Sequence, residues 1–189
     1  MGPPSRYTLL AQAERRALEA QAKIAEEDGN LNTSDLSNSD WVKYHLRRLA
    51  AASSEDEFLA RAKQCFTRRT NVTLNGIHVS RELYAQQWGA HLKPNGCGSI
   101  LFQGEMETPD IKVPMMHNAA LVGIFYSAKF YSNGSGMDSP LEVSSTVNII
   151  VAEDKSVLPS STDRRRMFTI NQVLVDRAGN LTFPLRNEL

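Results

Sequence analysis

Apolar residues recur every three and four positions along Tyr7–Glu27, at Leu10, Ala13, Ala17, Ala20 and Ile24, and this spacing predicts a helix. Its stripe is mostly alanine, so at about 25 cal/mol per Å2 it buries too little area to hold the helix firmly. From Asp28 to Ser39 the chain is dense in Asp, Asn, Ser and Thr, whose side chains bond their own backbone and compete with helix, which predicts a linker. Asp40 is then placed to cap a helix carrying Trp41, Val42, Tyr44, His45, Leu46 and Leu49. Ser54 and Glu57 form a capping box that opens a second helix through Phe58, Leu59 and Ala62. A β-like stretch follows from Cys65 to Val79 around the turn Asn75-Gly76, and Ser80 caps a short helix from Arg81 to about His91.

Beyond Pro94 the pattern changes. Four runs rich in β-branched and aromatic residues, Ser99–Glu107, Leu121–Tyr131, Val143–Ala152 and Met167–Asp176, alternate with turn clusters and predict long strands. No helix-length periodicity separates them, so antiparallel pairing is expected. Residues i and i+2 of a strand share a face. This sorts Val122, Ile124, Tyr126, Ala128 and Phe130 to the interior, with Val143, Ser145, Val147, Ile149 and Val151. In the first run it sorts Ile100, Phe102, Gly104 and Met106 inward and Gln103, Glu105 and Glu107 outward. A β-bulge or a one-residue slip would reverse that last assignment and turn Glu105 and Glu107 inward.

Composition fits a packed soluble domain: 189 residues, 41% hydrophobic and 22% charged. Lys plus Arg and Asp plus Glu both total 21, so no global field favours nucleic acid or anionic lipid. The densest basic run, Arg164-Arg165-Arg166, reads as a solvated strand edge. No stretch approaches the roughly 20 apolar residues of a membrane span, and the N-terminus lacks the apolar core of a secretory signal. A cytoplasmic location with reduced thiols is therefore expected for Cys65 and Cys97, and the Asn-x-Ser/Thr triplets are read as turns.

Candidate chemistry is sparse. His45, His78, His91 and His117 make no metal-binding spacing, and the two cysteines form no Cys-x-x-Cys pair, so neither a metal nor a cofactor is expected. No Gly-x-Ser-x-Gly elbow or phosphate-cradling glycine loop occurs. Tyr84 and Trp88, four apart on the short helix, could rim a pocket for an apolar ligand with Tyr44, Phe102, Tyr126 and Trp41. Sealing the helix onto the core is the competing role. His78 and Glu105 are the candidate bases.

Capped helices, a glycine turn, a small helix and then long strands resemble the nuclear transport factor 2-like superfamily, which includes SnoaL-like proteins. The resemblance covers roughly Asp40–Phe183. It is carried by Cys65-Phe66-Thr67, by Thr73-Leu74-Asn75-Gly76-Ile77-His78-Val79-Ser80-Arg81-Glu82-Leu83, and by Ile170-Asn171-Gln172-Val173-Leu174-Val175-Asp176 before Gly179-Asn180. Two departures stand out: the family's first long helix is broken here around Ala52-Ser53-Ser54, and residues 1–39 have no counterpart. The resemblance implies an α+β fold, a cone-shaped, strongly bent antiparallel sheet with helices in its concave face. Residues 40–189 form that domain, and residues 1–39 form a helix-and-linker arm. It also implies two functions. One is a small-molecule-binding or dimerisation module, a homodimer formed through the outer sheet face, where Leu121, Phe125 and Ile150 are apolar. The other is a cofactor-independent isomerase, dehydratase or cyclase of lipophilic or polyketide-like substrates, with Tyr84 or Tyr126 as hydrogen-bond donor. Fold analogy does not choose between them.

Overall fold

The computed structural model describes residues 32–91, 97–131, 141–158 and 163–176. The chain divides into two compact units, Met1–Thr33 and Ser34–Leu189. The predicted helix Tyr7–Glu27 lies outside the described residues, as do the side chains of His91 and Cys97. The second unit holds helices α1 (Asn38–Ala50), α2 (Glu55–Cys65) and α3 (Arg81–His91), and strands β1 (Phe66–Leu74), β2 (Ile77–Val79), β3 (Cys97–Thr108), β4 (His117–Tyr131), β5 (Leu141–Glu153) and β6 (Arg165–Asp176). This is an α+β fold whose six strands make one curved sheet in the order β2-β1-β6-β5-β4-β3.

Local chemistry explains the helix ends. Ser54 Oγ accepts from the Glu57 amide at 3.2 Å. The Glu57 carboxylate reaches back one residue beyond the cap, accepting from the Ser53 amide and hydroxyl, each at 2.7 Å. At α1 the cap is Ser37 rather than Asp40: Ser37 Oγ accepts from the Asp40 amide at 3.1 Å, and Asp40 sits in the first turn, where its charge suits the helix dipole. Ser80 caps α3 as expected, its hydroxyl 3.0 Å from the Leu83 amide.

β3 to β6 pair antiparallel, as the absence of crossover helices requires. β1 departs from that expectation and lies parallel to β6, so the sheet is mixed. The parallel ladder opens between Phe66 and Asn71, where Thr70 Oγ1 bonds the Met167 carbonyl at 2.8 Å and contacts Thr67 Oγ1 at 3.2 Å. Because β6 is thus interior to the sheet, the Arg164–Arg166 run is no solvated edge. Arg165 pairs with Asp163 at 3.0 Å, donates to the Leu36 carbonyl at 2.8 Å and lies 5.4 Å from the centre of the Trp41 ring.

The helices cover one face of the sheet, α1 against β3 and β4, and α2 against β1 and β6. The inner positions expected for β4 and β5 are all buried there. β3 follows the expectation only as far as Phe102, which pairs with Tyr126. A bulge then places Gln103 and Gly104 together against Phe125, and the alternation inverts. Met106 is 58% exposed instead of buried, and Glu105 and Glu107 pair with the inward-facing Ile124 and Val122.

β3 also passes close to the end of α1 at Gly98. A Cβ there would collide with the Ala50 carbonyl oxygen and meet the Phe130 ring at 3.0 Å. Neither obstacle can swing away, since one is backbone and the other a buried ring. Gly98→Ala is expected to destabilise the protein by about 1–3 kcal/mol in urea unfolding. A wild-type midpoint would show that the helix and strand have slack at this crossing.

Candidate functional site

The interior is mostly hydrocarbon, with one knot of polar groups at its centre. Gln172 projects inward from β6, in period with Ile170 and Leu174. Its Oε1 accepts from the Tyr84 hydroxyl of α3 at 2.7 Å. Its Nε2 donates to the Tyr126 hydroxyl of β4 at 2.7 Å and to Ser145 Oγ of β5 at 2.9 Å. Ser145 Oγ in turn donates to the Val173 carbonyl at 3.0 Å. All four side chains are at most 2% exposed. Burial pushes the phenol pKa values of Tyr84 and Tyr126 well above the ordinary value, so both stay neutral hydrogen-bonding groups. Because the amide's donors and acceptor are engaged, the knot is complete among protein groups.

The aromatic residues singled out in the sequence divide between two environments. Tyr84, Trp88 and Tyr126 are in the core. Trp88 stacks with Phe58 at 6.0 Å between ring centres and meets Phe130 edge-on at 5.9 Å. Tyr44 and Phe102 are half-buried at the rim, with the Arg48 guanidinium 5.6 Å from the Tyr44 ring centre and that of Arg47 4.9 Å from Phe102. Only Phe102 and Tyr126 of the two groups are in ring contact, at 6.3 Å.

The inverted alternation of β3 brings two carboxylates to the N-terminal half of α1. Glu107 accepts from the Ser39 amide at 2.9 Å and from Asn38 Nδ2 at 3.0 Å. Burial works to raise its pKa, but these donors hold it below the ordinary carboxylate value. Lys43 Nζ lies 2.5 Å from Glu105 and 2.7 Å from Asp40. Burial opposes its charge, and the two carboxylates outweigh burial and raise its pKa. Asp40 is held low by Lys43 first and by Ser37 second. The candidate base Glu105 is thus an ion-pair partner. His78, the other candidate, is exposed on β2 opposite Thr73, far along the sheet from β3.

His45, on α1, is a buried histidine. It is 7% exposed, packed 4.3 Å from Trp41 and 5.0 Å from Tyr44 between ring centres. Burial, and next the positive charge of Arg48, push its pKa down to about 3. Cys65 is free and buried, and burial pushes its thiol up to about 12, which leaves it an unreactive thiol at neutral pH. Among the described residues no group of His, Cys, Asp and Glu is arranged to hold a metal ion, and no helix is long and apolar enough to cross a membrane.

Gln172 and Ser145 were not proposed as site residues from the sequence. The available signal was a polar residue at an inward period, Ile170-Asn171-Gln172-Val173-Leu174 in one strand and Val143-Ser144-Ser145-Thr146-Val147 in the next. Two such residues on neighbouring strands point to a buried hydrogen-bond pair.

No family model and no curated protein matches the chain. Among solved structures it is similar to a conserved protein from Planctomyces limnophilus, 11% identical over 71% of this chain and 94% of that one, with a TM-score of 0.49. It is similar also to Candida albicans Mtr2, at 12% identity over 73% and 96%, TM-score 0.46. A SnoaL-like family protein from Agrobacterium tumefaciens matches at 11% identity over 74% and 98%, TM-score 0.41.

Two measurements probe the interior. Gln172→Leu leaves the Tyr84 hydroxyl without its acceptor and Ser145 and Tyr126 without a donor, so a loss of at least about 2 kcal/mol is expected in urea unfolding. Adding Tyr84→Phe and Tyr126→Phe to that variant is expected to recover part of the loss. If the triple variant is the least stable of the series, the knot is not the source of the effect. For His45 the unfolded pKa is about 6.5 and the folded value lies far below it. Above pH 6.5 both states are neutral. As pH falls, only the unfolded state takes up the proton, so stability is expected to fall by about 2 kcal/mol between pH 7 and pH 5. His45→Gln is expected to flatten the slope there, and an unchanged slope would locate the titration elsewhere.

Proposed function

We propose that the chain is an association module that pairs with a second copy through the outward face of its sheet. The observation that carries this reading is the absence of charge from the centre of that face, across β3 to β6. Four cross-strand rows run over it: Leu101–Ser127–Ser144–Val175, Gly104–Phe125–Thr146–Val173, Met106–Gly123–Asn148–Asn171 and Thr108–Leu121–Ile150–Thr169. None holds an acid or a base, in a chain that is 22% charged. The row beyond Leu101 is charged, where Lys129 and Glu142 lie 3.8 Å apart, and so is the row beyond Thr169, where Arg166 pairs with Ala152.

Leu101, Met106, Phe125 and Val173 on this face are 42–65% exposed. Apolar side chains grouped in adjoining rows, with neutral polar residues between them, make a surface that gains by being covered. The lack of charge favours a second copy as the cover. A two-fold pairing sets one patch against itself, so any charge near the axis would meet its like.

The arrangement of polar groups supports association over catalysis. An isomerase, dehydratase or cyclase needs a base or donor aimed at its substrate. Glu105 and Glu107 are committed to Lys43 and to the start of α1, and the central knot is engaged with itself.

Sedimentation velocity over a dilution series is expected to give a dimer down to low micromolar concentration. Phe125→Glu, which puts a carboxylate on the neutral face at a partly exposed position, is expected to weaken pairing at least about tenfold while circular dichroism shows the fold retained. A wild-type chain that sediments as a monomer throughout the series would sink the proposal.

A further inference from the structure

The outward rows of β3 and β4 have a pattern beyond neutrality. Each joins one large and one small residue, and the large one changes strand from row to row: Leu101 with Ser127, then Gly104 with Phe125, then Met106 with Gly123. The bulge at Gln103 creates this order, because without it Gly104 and Met106 would face the helices. The two glycines differ in what lies over them. A Cβ on Gly123 would touch Asn148 Oδ1 at 3.0 Å and Met106 Cε at 3.8 Å, so its neighbours already lean across it. A Cβ on Gly104 would touch nothing within 4 Å. Gly104 is therefore an open notch directly across from Phe125, which stands 42% exposed.

We infer that in the dimer the Phe125 ring of each copy seats on the partner's Gly104, about a two-fold axis that runs along the β3–β4 seam between the paired faces. The inference rests on the association reading above. Such an axis exchanges β3 of one copy with β4 of the other and keeps residues in their rows. Every large side chain then meets a small residue: Phe125 the partner's Gly104, Met106 the partner's Gly123, Leu101 the partner's Ser127. Sheets pack face to face about 10 Å apart with strands roughly 30° from aligned, so the match is closest in the central row. An axis on the β4–β5 seam does worse. It would set Leu121 on the partner's Ile150, large on large, and the Phe125 ring on the partner's Thr146 instead of an open notch.

Complementarity of this kind can be tested with two variants that fail alone and succeed together. Gly104→Phe fills the notch and keeps the ring; Phe125→Ala keeps the notch and removes the ring. Both should fold: the space over Gly104 is open, its backbone is not in the left-handed region, and Phe125 is partly exposed. Circular dichroism and the unfolding midpoint of each variant verify this. Each variant alone is expected to raise the dimer dissociation constant at least about tenfold. Their equimolar mixture places the ring of the first copy on the open notch of the second, and the introduced ring of the first against the Ala of the second. It is therefore expected to form heterodimer within about threefold of the wild-type constant. Heterodimer of this strength establishes the seat. A mixture as weak as the separate variants overturns the seat, and so do single variants that dimerise like wild type while Phe125→Glu dissociates; in both cases the association reading survives. A wild-type chain that is monomeric removes both.

Discussion

The Gln172 side-chain amide joins the side chains of four elements at the centre of the interior. Its oxygen receives the Tyr84 hydroxyl from α3, and its nitrogen gives to Tyr126 on β4 and Ser145 on β5, with β6 carrying the amide itself. In a low-dielectric interior such bonds are strong, and losing one leaves a dry polar atom. A slip of β4, β5 or β6 by one residue would swing its member of the group to the other face of the sheet. Hydrocarbon alone discriminates weakly between registers, because Val, Ile and Phe substitute for one another with modest penalty. The knot makes the correct register the one in which the Gln172 amide finds partners for its oxygen and for both its N–H groups. Everything on the outward face follows from that choice, since inner and outer positions are two readings of one alternation.

Where the alternation is regular, both faces were legible in the sequence. β4 and β5 carry uninterrupted inward sets, Val122 to Phe130 and Val143 to Val151, and Lys129 marks which set is outward. β3 is the instructive failure. Gly104 after Gln103 is the residue type that marks bulges in strands, yet a glycine in a strand is equally compatible with regular pairing. Only the partner strand decides, and the partner is a long-range fact. Edge and centre pose the same difficulty: three arginines entering a strand look solvated until β1 pairs with β6 and makes it interior. The α1 cap was misplaced for a local reason, because Ser37 and Asp40 are both good capping residues three apart and bond each other, with Ser37 Oγ donating to Asp40 Oδ2 at 2.7 Å.

Much of the chain's charge is consumed in short-range work. Glu57 closes the start of α2 and binds Arg61, Glu107 closes the start of α1, and Lys43 bridges Asp40 and Glu105. Arg165 spans Asp163, Trp41 and the Leu36 carbonyl, tying the segment before α1 to the sheet. Titratable groups that a catalyst would keep available are here the fastenings between helix ends and strands. That is also why the candidate site was hard to read from residue types alone: Glu105 has the chemistry of a base, and only its distance from Lys43 shows how it is used.

The bulge in β3 ties the inside and the outside of this protein to a single point of register. Ironing the bulge out with Gln103 kept, by pairing it alone with Phe125, would move every position beyond it to the other side: Met106 would enter the helix-facing layer, while Glu105 and Glu107 would emerge on the neutral face. That slip would unfasten α1 and place two negative charges on the neutral face. Exposed strands usually tolerate substitution well, and Gln103 itself, bonded only to Ser127 Oγ at 3.2 Å, should accept many side chains. Loss of Gln103 would leave Phe102 and Gly104 in consecutive regular pairs and both faces as they are, so natural variants are expected to differ at this position both in the letter and in having one.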